Sequence, residues 1–187
     1  TLSAWVNLDA SDDGVIIGKG QNGSEWYAWW LSVGNNAGVD EGNTANRLCV
    51  GLRDGNGDGN KTYVTQSADV PLSAWVYVAG TLSGSTLTLY VNGVLNNAVT
   101  TAKAPYNGGA QVWIGSDSGR DYLNGRMDEI RVEDVARSSN WVWACYMNQV
   151  SNGVFNTYGA PENKGDPSIA NSNAVVTASY VTLNGYL

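Results

Sequence analysis

The pentapeptide "LSAWV" stands at Leu2–Val6 and returns unchanged at Leu72–Val76. A tandem repeat would extend the match on both sides. The first copy instead runs on as "NLDASDDGVIIGKG" and the second as "YVAGTLSGSTLTLYVNG", with nothing further in register. No period of repeat-protein length occurs elsewhere either. The two copies therefore read as two strands of one domain, each carrying a Trp.

Outward from these two points the chain is a succession of short strands broken by Gly, Asn and Asp turns. "VIIGKG" and "EWYAWWLSV" come first, followed by the polar loop "NNAGVDEGNTAN". "RLCVGLR" and "KTYVTQS" flank "DGNGDGN" as a hairpin, and "STLTLYVNGVLNNAV" folds about Asn92-Gly93, a turn pair suited to two-residue hairpins. "AQVWIGS" and "GRMDEIRVEDV" complete the set. One helix is expected near residues 138–148, where Trp141, Ala144 and Cys145 fall at helical spacing. Strands at this density without a βαβ rhythm predict an all-β, antiparallel two-sheet β-sandwich. The 187 residues suffice for a core without staples, and 23 Gly with 8 Trp and 10 Tyr against one Phe suit strands, turns and half-exposed sheet faces.

Charge and composition exclude several functions. The net charge of −7 disfavours nucleic acid and anionic membrane surfaces as partners. No apolar run approaches the roughly 18 residues of a membrane span, so no membrane insertion is expected. Histidine is absent, which removes His-dependent nucleophiles and His-ligated zinc. Cys49 and Cys145 read as two buried thiols or as one disulfide, and spacing does not decide between them.

Three motifs are similar, in their order, to laminin-G-like jelly rolls of the concanavalin A-like superfamily, in particular the modules of bacterial secreted proteins. They are "WVYVAGT", "LYVNG" and "DEIRVEDVARSSNW", supported by "TLSAWV", "IIGKG" and "VWIGS". The resemblance covers residues 1–163. It implies an extracellular or cell-surface, non-catalytic jelly roll and a Trp in each of two strands, in keeping with the repeated pentapeptide. Family members begin with one or two further strands ahead of "TLSAWV". Their absence here suggests an excised or processed piece. Residues 164–173 read as a linker. The alternating stretch at 174–187 reads either as the start of an immunoglobulin- or fibronectin-III-like module or as a donated strand.

The candidate chemistry is sparse. Glycosidases of this superfamily carry a Glu-Ile-Asp-Ile-Glu strand, and Glu129-Ile130-Arg131-Val132-Glu133 echoes it with residues 129, 131 and 133 expected on one face. Arg131 in the middle would keep both carboxylates ionised when one must be a protonated acid, so a salt-bridge row is expected and not an active site. For calcium, the one cofactor considered, Asp54, Asn56, Asp58 and Asn60 alternate in "DGNGDGN" as in the first half of an EF-hand loop, but Thr65 stands where Glu should close it. The resemblance adds Asp128 as a second calcium candidate. For organic ligands, alternation puts Tyr27, Trp29, Leu31 and Val33 on the core face and Trp26 and Trp30 on the other, where the two indoles serve either as buried structure or as a sugar platform. Arg120, Asp121 and Tyr122 form a possible rim. The expected partner is a glycan or a protein surface. The alternative is a structural subunit that self-associates through residues 174–187 into a filament or array.

Overall fold

A computed structural model describes residues 1–10, 14–20, 27–34, 46–55, 58–107, 109–117, 121–157 and 159. Ten strands occur among them: β1 (Leu2–Leu8), β2 (Gly14–Lys19), β3 (Trp29–Val33), β4 (Leu48–Arg53), β5 (Lys61–Thr65), β6 (Trp75–Ser83), β7 (Thr86–Val91), β8 (Val94–Thr100), β9 (Val112–Ile114) and β10 (Gly125–Val132). They pair into two five-stranded antiparallel sheets. One has the order β10-β1-β6-β7-β8 and the other β5-β4-β3-β2-β9. The expected two-sheet sandwich is the observed fold. Residues Thr1–Asn156 make one compact unit, and the expected linker and terminal strand at 164–187 lie outside the described residues.

Period-two alternation builds the core. Leu2, Ala4, Val6 and Leu8 of β1, Val76 and Val78 of β6, and Leu87 and Leu89 of β7 point inward. They meet Leu31 and Val33 of β3 and Leu48, Val50 and Leu52 of β4 from the other sheet. Burying such side chains contributes roughly 1.5–3 kcal/mol each before the entropy of ordering them is subtracted. The β7–β8 hairpin turns at Asn92 (φ 51°) and Gly93 (φ 77°), the two left-handed positions of a type I′ turn. Asn92 Oδ1 also accepts the Tyr77 N–H at 3.0 Å, which ties this turn to β6.

Only part of the second "LSAWV" is a strand. Leu72–Ala74 form a turn, with Ser73 at φ 57°, and β6 begins at Trp75. The helix α1 (Ser139–Val150) is capped by Ser138, whose Oγ accepts the Trp141 N–H at 3.3 Å, and a short α2 (Asn152–Phe155) follows. α1 lies on the outer face of the first sheet. Val142, Trp141, Cys145 and Tyr146 cover Trp5, Tyr77, Ala79 and Tyr90 there.

Candidate functional site

The outward residues of β1 are Ser3, Trp5 and Asn7, and those of β6 are Trp75, Tyr77 and Ala79. In the ladder Trp5 stands opposite Tyr77 and Asn7 opposite Trp75. α1 covers the Ser3–Tyr77 end of this face and leaves the Trp75 end open. Trp5 is held between them, its ring 5.3 Å from Tyr77 and stacked at 5.8 Å on Tyr146 of the helix. Trp75 is 45% exposed. The result is a cleft of about 350 Å³ lined by Trp5, Trp75, Asp128, Glu129, Gln149 and Val150. The Trp residues of the two pentapeptide copies thus meet in one cleft.

A break in the alternation of β10 supplies the polar wall. Ser3 pairs with Arg131 and Trp5 with Asp128, so the residues between them on β10 outnumber those on β1 by one. This is a β-bulge, and Glu129 within it takes a left-handed conformation, φ 51°. Met127 and Ile130 both pack toward the core, and the two consecutive residues between them, Asp128 and Glu129, both line the cleft. Asp128 Oδ1 accepts the Glu129 N–H at 2.8 Å. Glu129 pairs with Arg131. Arg131 borders a small recess of about 50 Å³ beside the cleft, shared with Cys145, Asn148, Gln149 and Tyr77. Partial burial opposes the charge of Arg131, but the neighbouring Glu129 carboxylate helps hold its pKa above the ordinary value. Burial pushes the Tyr77 phenol up to about 12, against the pull of the Ser3 hydroxyl beside it. Asn7, next along β1, is buried, and among the described residues its Oδ1 has no hydrogen-bond partner.

The end of β10 at Val132 corrects the expectation that residues 129, 131 and 133 form one row. Glu129 and Arg131 face the recess. Glu133 lies beyond β10, accepts from Arg137 Nε at 2.8 Å, and lines a separate, apolar opening of about 420 Å³ between the sheets. The two carboxylates do not share a cavity.

The aromatic platform is also corrected. Trp30 does face away from the main core, as alternation requires, but it is fully buried. Its indole lies over Gly51, 6.5 Å from the Tyr27 ring and 4.9 Å from the Arg53 guanidinium. Tyr27, expected on the core face, joins Trp30 and Val15 on this one. Tyr27 precedes β3, so strand alternation does not reach it. Trp26 and Arg120 lie outside the described residues. Tyr122 is exposed, and the Asp121 carbonyl accepts the Val15 N–H at 3.2 Å. Neither residue lines the Trp75 cleft.

The "DGNGDGN" loop closes through Asp54 N–H to the Asn60 carbonyl at 3.2 Å, after one 3-10 turn at Asp58–Asn60. The Lys103 ammonium reaches it, donating to the Gly59 carbonyl at 2.9 Å with Asp54 Oδ1 at 3.7 Å. Asn56 lies outside the described residues, and Asp128 belongs to β10, away from this loop. Among the described residues no three acidic or Cys side chains cluster as a metal site. Cys49 sits on β4 and Cys145 on α1, and they are not bridged. No helix among the described residues is long and apolar enough to cross a membrane.

Solved structures share this architecture. A protein of Bacteroides ovatus described as a "putative carbohydrate binding protein" superposes with a TM-score of 0.59 at 22% identity, over 76% of this chain and 39% of that one. The CBM40 module of the Ruminococcus gnavus IT-sialidase, bound to alpha2,3 sialyllactose, gives 0.60 at 18% identity over 78% and 80%. Domain 4 of an extracellular arabinanase of Geobacillus stearothermophilus, in complex with arabinotriose, gives 0.56 at 19% over 76% and 63%. This chain thus spans well under half of the first of these proteins. No curated protein is a significant sequence match. The Laminin_G_3 family model matches residues 1–143. The chain belongs to that family, within the Concanavalin A-like lectin/glucanases superfamily.

Proposed function

We propose that the chain is a non-catalytic glycan-binding module of a secreted or cell-surface protein, and that the Trp75 cleft holds the sugar. One observation carries this reading: the bulge at Glu129 turns two adjacent carboxylates onto the side where the exposed Trp75 stands. A sugar presents an apolar C–H face and a rim of hydroxyls. An indole face takes the first, and carboxylate and amide oxygens take the second. Trp75, Asp128, Glu129 and Gln149 supply both around a space of 350 Å³, which falls in the ordinary range of small-ligand sites. The strands β10, β1 and β6 set the width at about 10 Å, two strand spacings. Strained backbone concentrates at binding sites, and the left-handed Glu129 is such a position. The carbohydrate-bound relatives of the same fold support the ligand class.

The test is a glycan-array screen followed by titration calorimetry, with Trp75→Ala as the partner variant. Trp75 is half-exposed on the first residue of β6, so the variant should melt close to the wild type and lose its glycan. Undiminished binding by Trp75→Ala would remove the cleft from consideration.

A further inference from the structure

Resting on that reading, the charges around the cleft define which sugars it takes. We infer that the site selects a non-anionic sugar residue, with a free amino group preferred over a hydroxyl at the position facing Asp128.

Among the described residues the cleft is lined by two acidic side chains and no basic one. Glu129 is already compensated, because its carboxylate is paired with Arg131 in the adjoining recess. Asp128 is not. It accepts one hydrogen bond, from the Glu129 N–H, and makes no ion pair among the described residues. The nearest basic residue along the strand, Arg126, is directed to Asp9 at 3.5 Å. Asp128 therefore presents a net negative charge with oxygen lone pairs still open, beside the aromatic floor of Trp5 and Trp75. The background field has the same sign, since the whole chain carries −7.

A ligand ammonium placed there gains a charge-assisted hydrogen bond, a hydroxyl gains an ordinary one, and a carboxylate meets repulsion. For a solvent-edged site the first and last effects are each worth about fivefold in affinity, and both shrink as salt screens them. Arg131 does not reverse this order, because a uronate entering the recess would have to displace Glu129 from it.

The experiment compares hexose, 2-amino-2-deoxyhexose and hexuronic acid glycans of matched linkage, at low and high salt. The wild type should rank amine above hexose above uronate, with the spread narrowing in high salt. Asp128→Asn should bring the three within about twofold of each other. Trp75→Ala should lose all three. Uronates binding as tightly as amino sugars, with Trp75→Ala still inactive, would overturn the charge inference and leave the cleft as the sugar site. Binding that ignores Trp75, or none in any of the three classes, would overturn both.

Discussion

Gly51 lies directly beneath the indole of Trp30, where a Cβ would stand 1.9 Å from Cζ2. The strand β4 is therefore pressed against a ring that fills the outer side of its own sheet. Gly51→Ala should cost roughly 1–3 kcal/mol by overpacking. Trp30→Phe removes the ring atoms that clash and leaves a void of its own. The double variant should then be less destabilised than the two single effects added together. Urea melts of the four proteins give the coupling directly, and simple additivity would show that Gly51 is small for another reason.

Tyr77 offers a prediction on alkaline stability. Its phenol is buried, with a pKa raised from 10.0 to about 12. Below pH 10 both folded and unfolded chains keep the proton and nothing is lost. Between pH 10 and 12 the unfolded chain releases it first, so stability falls as pH rises, by up to roughly 2–3 kcal/mol in all. Tyr77→Phe cannot titrate and should keep that increment. The two proteins should have similar urea midpoints at pH 8 and diverge above pH 10, with Tyr77→Phe the more stable. Parallel curves would mean that this phenol ionises without unfolding.

How much of this was legible in the sequence depended on the kind of signal. Strand positions, the Asn92-Gly93 hairpin and the helix after Ser138 follow from alternation, turn chemistry and helical spacing, all local in the chain. The side of the sheet on which Trp30 lies was legible too, while its burial was one of two readings that the sequence left open. Alternation names a face without saying what packs on it, and fully buried Arg53 comes from a different strand. The cleft was missed although two signals pointed to it. Met127 and Ile130 are three apart, a spacing that no regular strand can bury on one side, and this marks the bulge. The repeated pentapeptide itself carried the two Trp residues, but bringing them together requires knowing that β1 pairs with β6.

The bulge makes a prediction that separates folding from binding. Glu129 holds φ 51°, a conformation that costs an L-residue about 1 kcal/mol and glycine almost nothing. Glu129→Gly relieves that strain and gives up an exposed pair with Arg131 worth about 0–1 kcal/mol. The variant should melt within a few degrees of the wild type, on either side, while its affinity for the glycan falls. A large loss of stability would mean that the side chain, and not the backbone, holds the bulge in place.

Lys103 sets the last expectation, on calcium. Its ammonium sits on the Gly59 carbonyl and beside Asp54, two of the oxygens that a cation bound by this loop would approach. Calcium entering here would have to displace a charge already tethered to the chain. Lys103→Met keeps the length and apolar stem of the side chain and deletes the charge, leaving Asp54 uncompensated. Added calcium should therefore raise the Tm of Lys103→Met more than that of the wild type, and Asp54→Asn in the same background should cancel the difference. Equal shifts in all three proteins would place any bound calcium elsewhere, because only at this loop do the lysine and the ion compete for the same oxygens.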